Sequence, residues 1–189
     1  QQDFELLLKS GARVEVLARE DGDGQTLLHS AVKAGRSEAV ARLINSKCDV
    51  NKADKSGRTA LALASHVSIV EGVGAVVRLI EAKCDLDTVD IYGETPLYAA
   101  ANVGALDTVV RLIEAKCDVE KSAPDFQGIA RGTPLRIAAE KGHVEVLKVL
   151  LKASAGKTVQ AVDGTELHIA KEQVEDQAVL AALAAKWIG

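Results

Sequence analysis

Methionine is absent from this 189-residue chain, and aromatic residues make up only 3% of it. A core must therefore come from Ala, Val, Leu and Ile, which suits thin layers of closely approaching helices better than one large central core. Charge of one sign is not concentrated either. The 23 Lys and Arg are scattered among 27 Asp and Glu, the net charge is −4, and no basic stripe marks a nucleic-acid footprint. There is no run of 18 apolar residues and no cationic-then-apolar opening segment, so neither a membrane span nor a secretory signal is legible. The expectation is a cytoplasmic protein, with the nucleus as the other compartment and without membrane insertion. Hydrophobic residues at 48% and charged residues at 26% place the chain among globular sequences rather than disordered ones.

Catalytic and metal-binding signatures are also missing. No C-x-x-C, H-x-x-x-H, P-loop or nucleophile elbow occurs. The chain is expected not to be an enzyme and to carry no cofactor and no metal. Two segments imitate such sites. Asp21-Gly22-Asp23-Gly24 opens like a calcium loop, but the twelfth position is Val32 where a bidentate Glu is required. VSIVEGVGAVV, ending at Val77, resembles a dinucleotide turn but lacks the third Gly and an acidic residue at the required distance. The repeat unit around it carries three extra residues between its helices, in the stretch from His66 to Gly74, and this insertion is read instead as a lengthened loop between them.

What is present is repetition. In the stretch from Asp90 to Val119, Asp90-Ile91-Tyr92-Gly93 reads as a turn and Thr95-Pro96 as a helix start, a capping hydroxyl followed by Pro at the first helical position. Leu97, Ala100 and Ala101 give a short helix one apolar face, and Gly104 stops it in the left-handed conformation. A second helix is predicted from about Leu106 to Ala115, with Leu106, Val109, Val110, Leu112 and Ile113 as its buried stripe. Helices this short are marginal alone, so the unit needs copies stacked beside it.

The copies are in register. Thr26, Thr59, Thr95, Thr133 and Thr165 are spaced 33, 36, 38 and 32 residues apart. Each is followed two residues later by Leu28, Leu61, Leu97, Leu135 or Leu167, and a second landmark recurs at Leu43, Leu79, Leu112 and Leu150. Cys48, Cys84 and Cys117 fall at equivalent places. Packed layers lie about 8 to 10 Å apart, whereas a disulfide needs Cα atoms within about 7 Å. These thiols are therefore expected to stay free.

A period near 33 with a D-x-x-G turn, a T-P-L start and a helix pair resembles the ankyrin repeat. The resemblance implies an all-α solenoid of stacked helix pairs with β-turn or hairpin fingers, acting as a noncatalytic module that binds a partner protein or peptide and is monomeric on its own. An alternative is the targeting or regulatory arm of a larger enzyme or channel. The units are a partial repeat at 1–17, repeats at 18–53, 54–89, 90–123 and 124–161, and a degenerate cap at 162–189. That cap ends in a helix from about Asp176 to Ile188 with Trp187 in its core. The 124–161 unit has a longer finger with Phe126 at its tip. Ala60 and Ser68 depart from the family's usual Pro and Gly.

Ankyrin proteins commonly bind through finger tips and a concave face built by the first helices. Position by position, that points to Asp23, Gln25 and Lys33, then to Lys55, Ser56, Arg58 and His66. In the Asp90 unit it selects Ile91, Tyr92, Glu94, Asn102 and Val103; in the long-finger unit, Phe126, Gln127, Ile129, Arg131, Glu140 and Lys141. The cluster of Tyr92, Phe126 and Arg131 carries the central expectation, because aromatic and Arg anchors dominate binding energies. His29 and His168 fall where the family's His links adjacent turns, and all four His, with His66 and His143, are read as structural. Asn51 resembles the family's hydroxylated asparagine, the competing reading being a side chain that stabilises the hairpin.

Overall fold

Three threonines set the entry points of the first helix in successive layers. Thr59 Oγ1 accepts the Ala62 amide at 3.3 Å, Thr95 Oγ1 the Tyr98 amide at 3.1 Å and Thr133 Oγ1 the Arg136 amide at 3.3 Å. Each satisfies a donor that the first turn would otherwise leave orphaned. The computed structural model describes residues 18–66, 70–122, 132–154, 158–160 and 166–168. The expectations for 1–17, the long finger at 123–131 and the terminal helix with Trp187 lie outside them.

Eight helices form four pairs among the described residues: α1 (Leu27–Lys33) with α2 (Ser37–Asn45), α3 (Ala60–Ser65) with α4 (Val70–Glu81), α5 (Pro96–Asn102) with α6 (Leu106–Glu114), and α7 (Pro134–Glu140) with α8 (Val144–Ala153). First helices pack on first helices, α1 on α3 on α5 on α7, and second helices follow the same order, giving two helical layers. A short antiparallel pair, β1 (Thr158–Gln160) and β2 (Glu166–His168), follows them.

The inner helices are buried on nearly every side. In α5, Pro96, Leu97, Tyr98, Ala99, Ala100 and Ala101 are all buried, more than the single face expected from Leu97, Ala100 and Ala101. A helix packed against a neighbour before it, a neighbour after it and its own partner keeps only a narrow solvent face, which in α5 falls at the half-buried Asn102. The leucine landmarks do form the core: Leu28, Leu43, Leu61, Leu79, Leu97, Leu112, Leu135 and Leu150 are each 2% exposed or less.

Three expectations are corrected. Helix α6 spans Leu106–Glu114 with Ala115 as its cap, close to the expected bounds, but its buried residues are Thr108, Val109 and Leu112, with Leu106, Val110 and Ile113 only half-buried. Thr108 packs in the core with its Oγ1 unpartnered among the described residues. The described part of the insertion stretch is helix rather than loop: VEGVG, residues 70–74, opens α4, which has 12 residues against nine in α2 and α6, while residues 67–69 lie outside the described residues. Gly74 serves a close approach there, since a Cβ would lie 2.8 Å from the Ser37 hydroxyl of α2. Finally, Leu167 and His168 stand in a strand, not at a helix start. The β-branched Thr158 and Val159 and the intervening Asp163-Gly164 pair are a hairpin sequence.

Helix ends α2, α4 and α6 share one closing motif. After the cap comes Lys47, Lys83 or Lys116 with φ of 58°, 57° and 70°. Their amides bond back to Ile44, Ile80 and Ile113, and those of Cys48, Cys84 and Cys117 reach Leu43, Leu79 and Leu112. This is the Schellman arrangement, which places an apolar residue directly after the left-handed one. The repeated cysteines are those apolar residues, and they join the core cluster. The left-handed residue itself is ordinarily Gly, because a Cβ there costs roughly 1 to 2 kcal/mol.

Candidate functional site

Each finger is built on one aspartate. Asp21 Oδ1 accepts the amides of Asp23 and Gln25, Asp54 Oδ1 those of Ser56 and Arg58, and Asp90 Oδ1 those of Tyr92 and Glu94. A carboxylate that short can bond the backbone two and four residues on, which folds the chain into the turn. Main-chain bonds then join the tips in series: Lys55 N–H to Asp23 O and Ile91 N–H to Ser56 O, both 3.0 Å. Gly57, at φ 76°, lets them close, since a Cβ would sit 3.1 Å from the Asp90 Cα.

The sequence-selected residues divide by depth. Gln25 is buried at 7% exposure; its Nε2 donates to Asp54 Oδ2 at 3.3 Å and its Oε1 accepts Lys33 Nζ at 3.2 Å. Arg58 is half-buried, with its guanidinium on Asp54 Oδ2 at 3.0 and 3.2 Å. Burial pushes the Asp54 carboxyl up, but hydrogen bonds from Arg58 and Ser56 and the Arg58 charge outweigh it, and the net result lies below 3.8. Gln25 thus links the first layer to Asp54 of the second, and the partly exposed Arg58 clamps that carboxylate within its own finger.

His29 completes that seam. Its Nδ1 accepts the Thr26 amide at 3.1 Å and lies 2.9 Å from Thr26 Oγ1, and its Nε2 stands 3.1 Å from the Arg58 carbonyl. A carbonyl can only accept, so Nε2 carries the proton and Nδ1 is the acceptor: the neutral ring fits and the cation does not. Burial lowers the imidazole pKa from 6.5. A lowered folded-state pKa contributes stability that is present above the unfolded value and is lost as pH falls through the folded one. The melting temperature is therefore expected to drop as pH falls below 6.5, well above the window in which Asp54 titrates. A His29→Gln variant should melt lower at pH about 7.5 and show a shallower decline toward about 5.5. An unchanged slope in thermal melts would count against this assignment.

The rest form the outer surface of the fingers and the adjoining helix ends. Asp23, Lys33 and Lys55 are exposed, with Lys55 Nζ donating to Gly22 O at 2.7 Å, and Ser56 is half-buried. His66 Nε2 meets Glu94 Oε2 at 3.5 Å, linking α3 to the next finger. Asn102 and Val103 are half-buried, and the Asn102 carbonyl accepts His143 Nε2 at 3.1 Å. Glu140 is exposed and paired with Arg136 at 2.8 Å, and Lys141 is exposed. Ile91 and Tyr92 stand at the third finger tip with 41% and 40% exposure. Phe126, Gln127, Ile129 and Arg131 lie outside the described residues, as does the side chain of His168.

A second series of bonds, missed in the sequence, runs along the loops after the second helices. Asn51 Oδ1 accepts the Asp85 amide at 2.8 Å, Asp87 Oδ1 the Asp118 amide at 2.9 Å, and Glu120 accepts the Ser154 hydroxyl. The C-D-x-[N/D/E] spelling was visible, but only the stacking shows that its last residue reaches the next layer.

Chemistry has little to work with. Burial pushes the Cys84 thiol up to about 11 and Cys117 to about 12, and raises Cys48, so these groups are poor nucleophiles. No group of three or more His, Cys, Asp or Glu among the described residues is arranged to hold a metal ion. No helix among them is long and apolar enough to cross a membrane. A broad open cleft of about 520 Å³, lined by Arg19, Glu20, Asp21 and Ser30 among others, lies at the first described layer. The family model described as Ankyrin repeats (3 copies) matches residues 2–73 and 66–163. No curated protein matches the chain.

Proposed function

Because the chain belongs to the ankyrin-repeat family, whose repeats are generally protein-interaction modules, we propose that it is a noncatalytic module that binds a partner protein or peptide through its finger tips and concave helix face. One observation carries the reading. Ile91 and Tyr92 are apolar and about two-fifths exposed, yet their amides are fixed, Ile91 N–H on Ser56 O at 3.0 Å and Tyr92 N–H on Asp90 Oδ1 at 2.9 Å. An aromatic and an aliphatic anchor on an immobilised backbone lose little entropy on binding, which is how a small contact reaches useful affinity. Asp23, Lys55 and Ser56 on the neighbouring tips would supply the polar rim.

The test compares proteins retained from cytosol by the chain and by an Ile91→Ala, Tyr92→Ala variant, after thermal melts show the two to be equally folded. Surface truncations of this kind change stability by only about 0.5 kcal/mol. Val144→Ala, at an exposed position on α8, serves as the control. A partner held by the chain and the control but lost by the double variant is the expected result. Identical retention by all three would remove the third finger from the site.

A further inference from the structure

Three residues break a backbone preference in the same way. Lys47, Lys83 and Lys116 occupy left-handed positions that favour Gly, one at the end of each of α2, α4 and α6. All three are exposed, and none makes an ion pair or side-chain hydrogen bond among the described residues. A cation near a helix C-terminus is favourable in itself. Arg42, Arg78 and Arg111 already fill that role in the last turn of each helix, with ordinary helical backbone. Strain repeated at three equivalent places without a structural return points to a use for the side chain.

We propose that Lys47, Lys83 and Lys116 form a three-cation rail that docks an extended acidic segment of a partner protein, one carboxylate to each layer. The nearby acids do not neutralise the rail from within. Asp49, Asp85 and Asp118 turn Oδ1 back onto the amides of Asn51, Asp87 and Glu120 at 2.9, 2.9 and 3.1 Å. Their charges still alternate with the lysines along the edge, so a uniformly anionic polymer or surface meets mixed sign. The net charge of −4 opposes such a surface as well. Among the described residues, the large exposed apolar side chains are Ile91, Tyr92 and Val144, at a finger tip and the start of α8, with none at these helix ends to enter a lipid layer. A peptide with spaced carboxylates avoids the first penalty and, carrying few charges, reduces the second. Layers about 8 to 10 Å apart and a polyproline-II rise of about 3.1 Å per residue, with three residues per turn, place every third residue of such a segment on the side facing the rail.

The rail follows the C-terminal ends of α2, α4 and α6 and uses none of the finger-tip residues, so its variants leave that site intact and its test is independent of theirs. The probes are two fluorescein-labelled peptides of equal composition, one with Glu at every third position among Gly and Ser, the other with its Glu gathered at one end. Binding is read by fluorescence anisotropy at low salt, against the chain, a triple Lys→Gly variant and a triple Lys→Gln variant that keeps the Cβ atoms. The spaced peptide should bind the chain at least tenfold more tightly than the clustered one, and both variants should lose at least tenfold in affinity for it. The Lys→Gly variant should melt at a higher temperature than the parent. Equal affinity for parent and variants, equal affinity for the two peptides, or a lowered melting temperature in the Lys→Gly protein would each overturn the proposal. So would binding of anionic phosphatidylserine vesicles without binding of the spaced peptide.

Discussion

Replacing Asp54 with Ala is expected to lower the unfolding free energy by about 2 to 4 kcal/mol, whereas Asp90→Ala should cost only about 1 to 2. Both carboxylates hold a turn through two amides. Asp54 in addition receives the Arg58 guanidinium and the Gln25 amide on Oδ2, and its side chain is 1% exposed. Its loss strands a buried amide and a half-buried cation. Removing one partner of a fully buried pair costs roughly 3 to 5 kcal/mol, and the 32% exposure of the Arg58 side chain moderates that figure. Urea unfolding of the two variants side by side decides the matter. Equal losses would mean that the turn amides, rather than the link between layers, carry the energy.

Leu97→Ala should be the most damaging truncation among the described residues, at about 3 to 5 kcal/mol. Leu97 is 1% exposed in a helix packed between α3 and α7 and backed by α6. Neighbours held by their own caps cannot collapse into the hole. Because each layer touches only the next, the defect should also divide the stack into two cooperative blocks, so that the urea transition broadens and its slope falls. A loss of that size with an unchanged slope would show the stack to be more tightly coupled than nearest-neighbour contacts imply. A loss below about 1 kcal/mol would contradict the packing itself.

The parts of this architecture that depend on local chemistry were readable beforehand. Thr59, Thr95 and Thr133 cap helices because a hydroxyl before an apolar run has few other uses. The leucine landmarks are buried because nothing polar shares their period. Contacts between layers were not readable in the same way. Gln25 looks like a surface residue until the neighbouring turn brings Asp54 to it, and Thr108 looks polar although it packs like Val. The three extra residues within His66–Gly74 suggested a loop because both flanks stay in register and the surplus had to fall between two helices, one of them holding glycines that weaken a helix. Here α2 lies so close that a side chain at Gly74 would meet Ser37, and packing overrides the propensity. The left-handed lysines recur in the sequence directly before the three cysteines, but only the backbone angle separates them from any other exposed lysine. At the candidate site, Ile91 and Tyr92 were legible as a tip from the Asp-x-x-Gly spelling, but their fixed amides required the fold.

The bonds from Asn51 to Asp85 and from Asp87 to Asp118 have the same form, an acceptor oxygen meeting the amide of the Asp that follows the left-handed Lys and its Cys. If residues 52–87 were lost as a block, Asn51 would arrive where Asp87 now stands and face the same Asp118 amide. Gain or loss of a whole unit in the gene therefore re-creates a working joint at the cut, whereas gain or loss of part of one does not. On that account, lineages of this chain would be expected to differ in the number of their units more readily than in the spelling of the junctions between them.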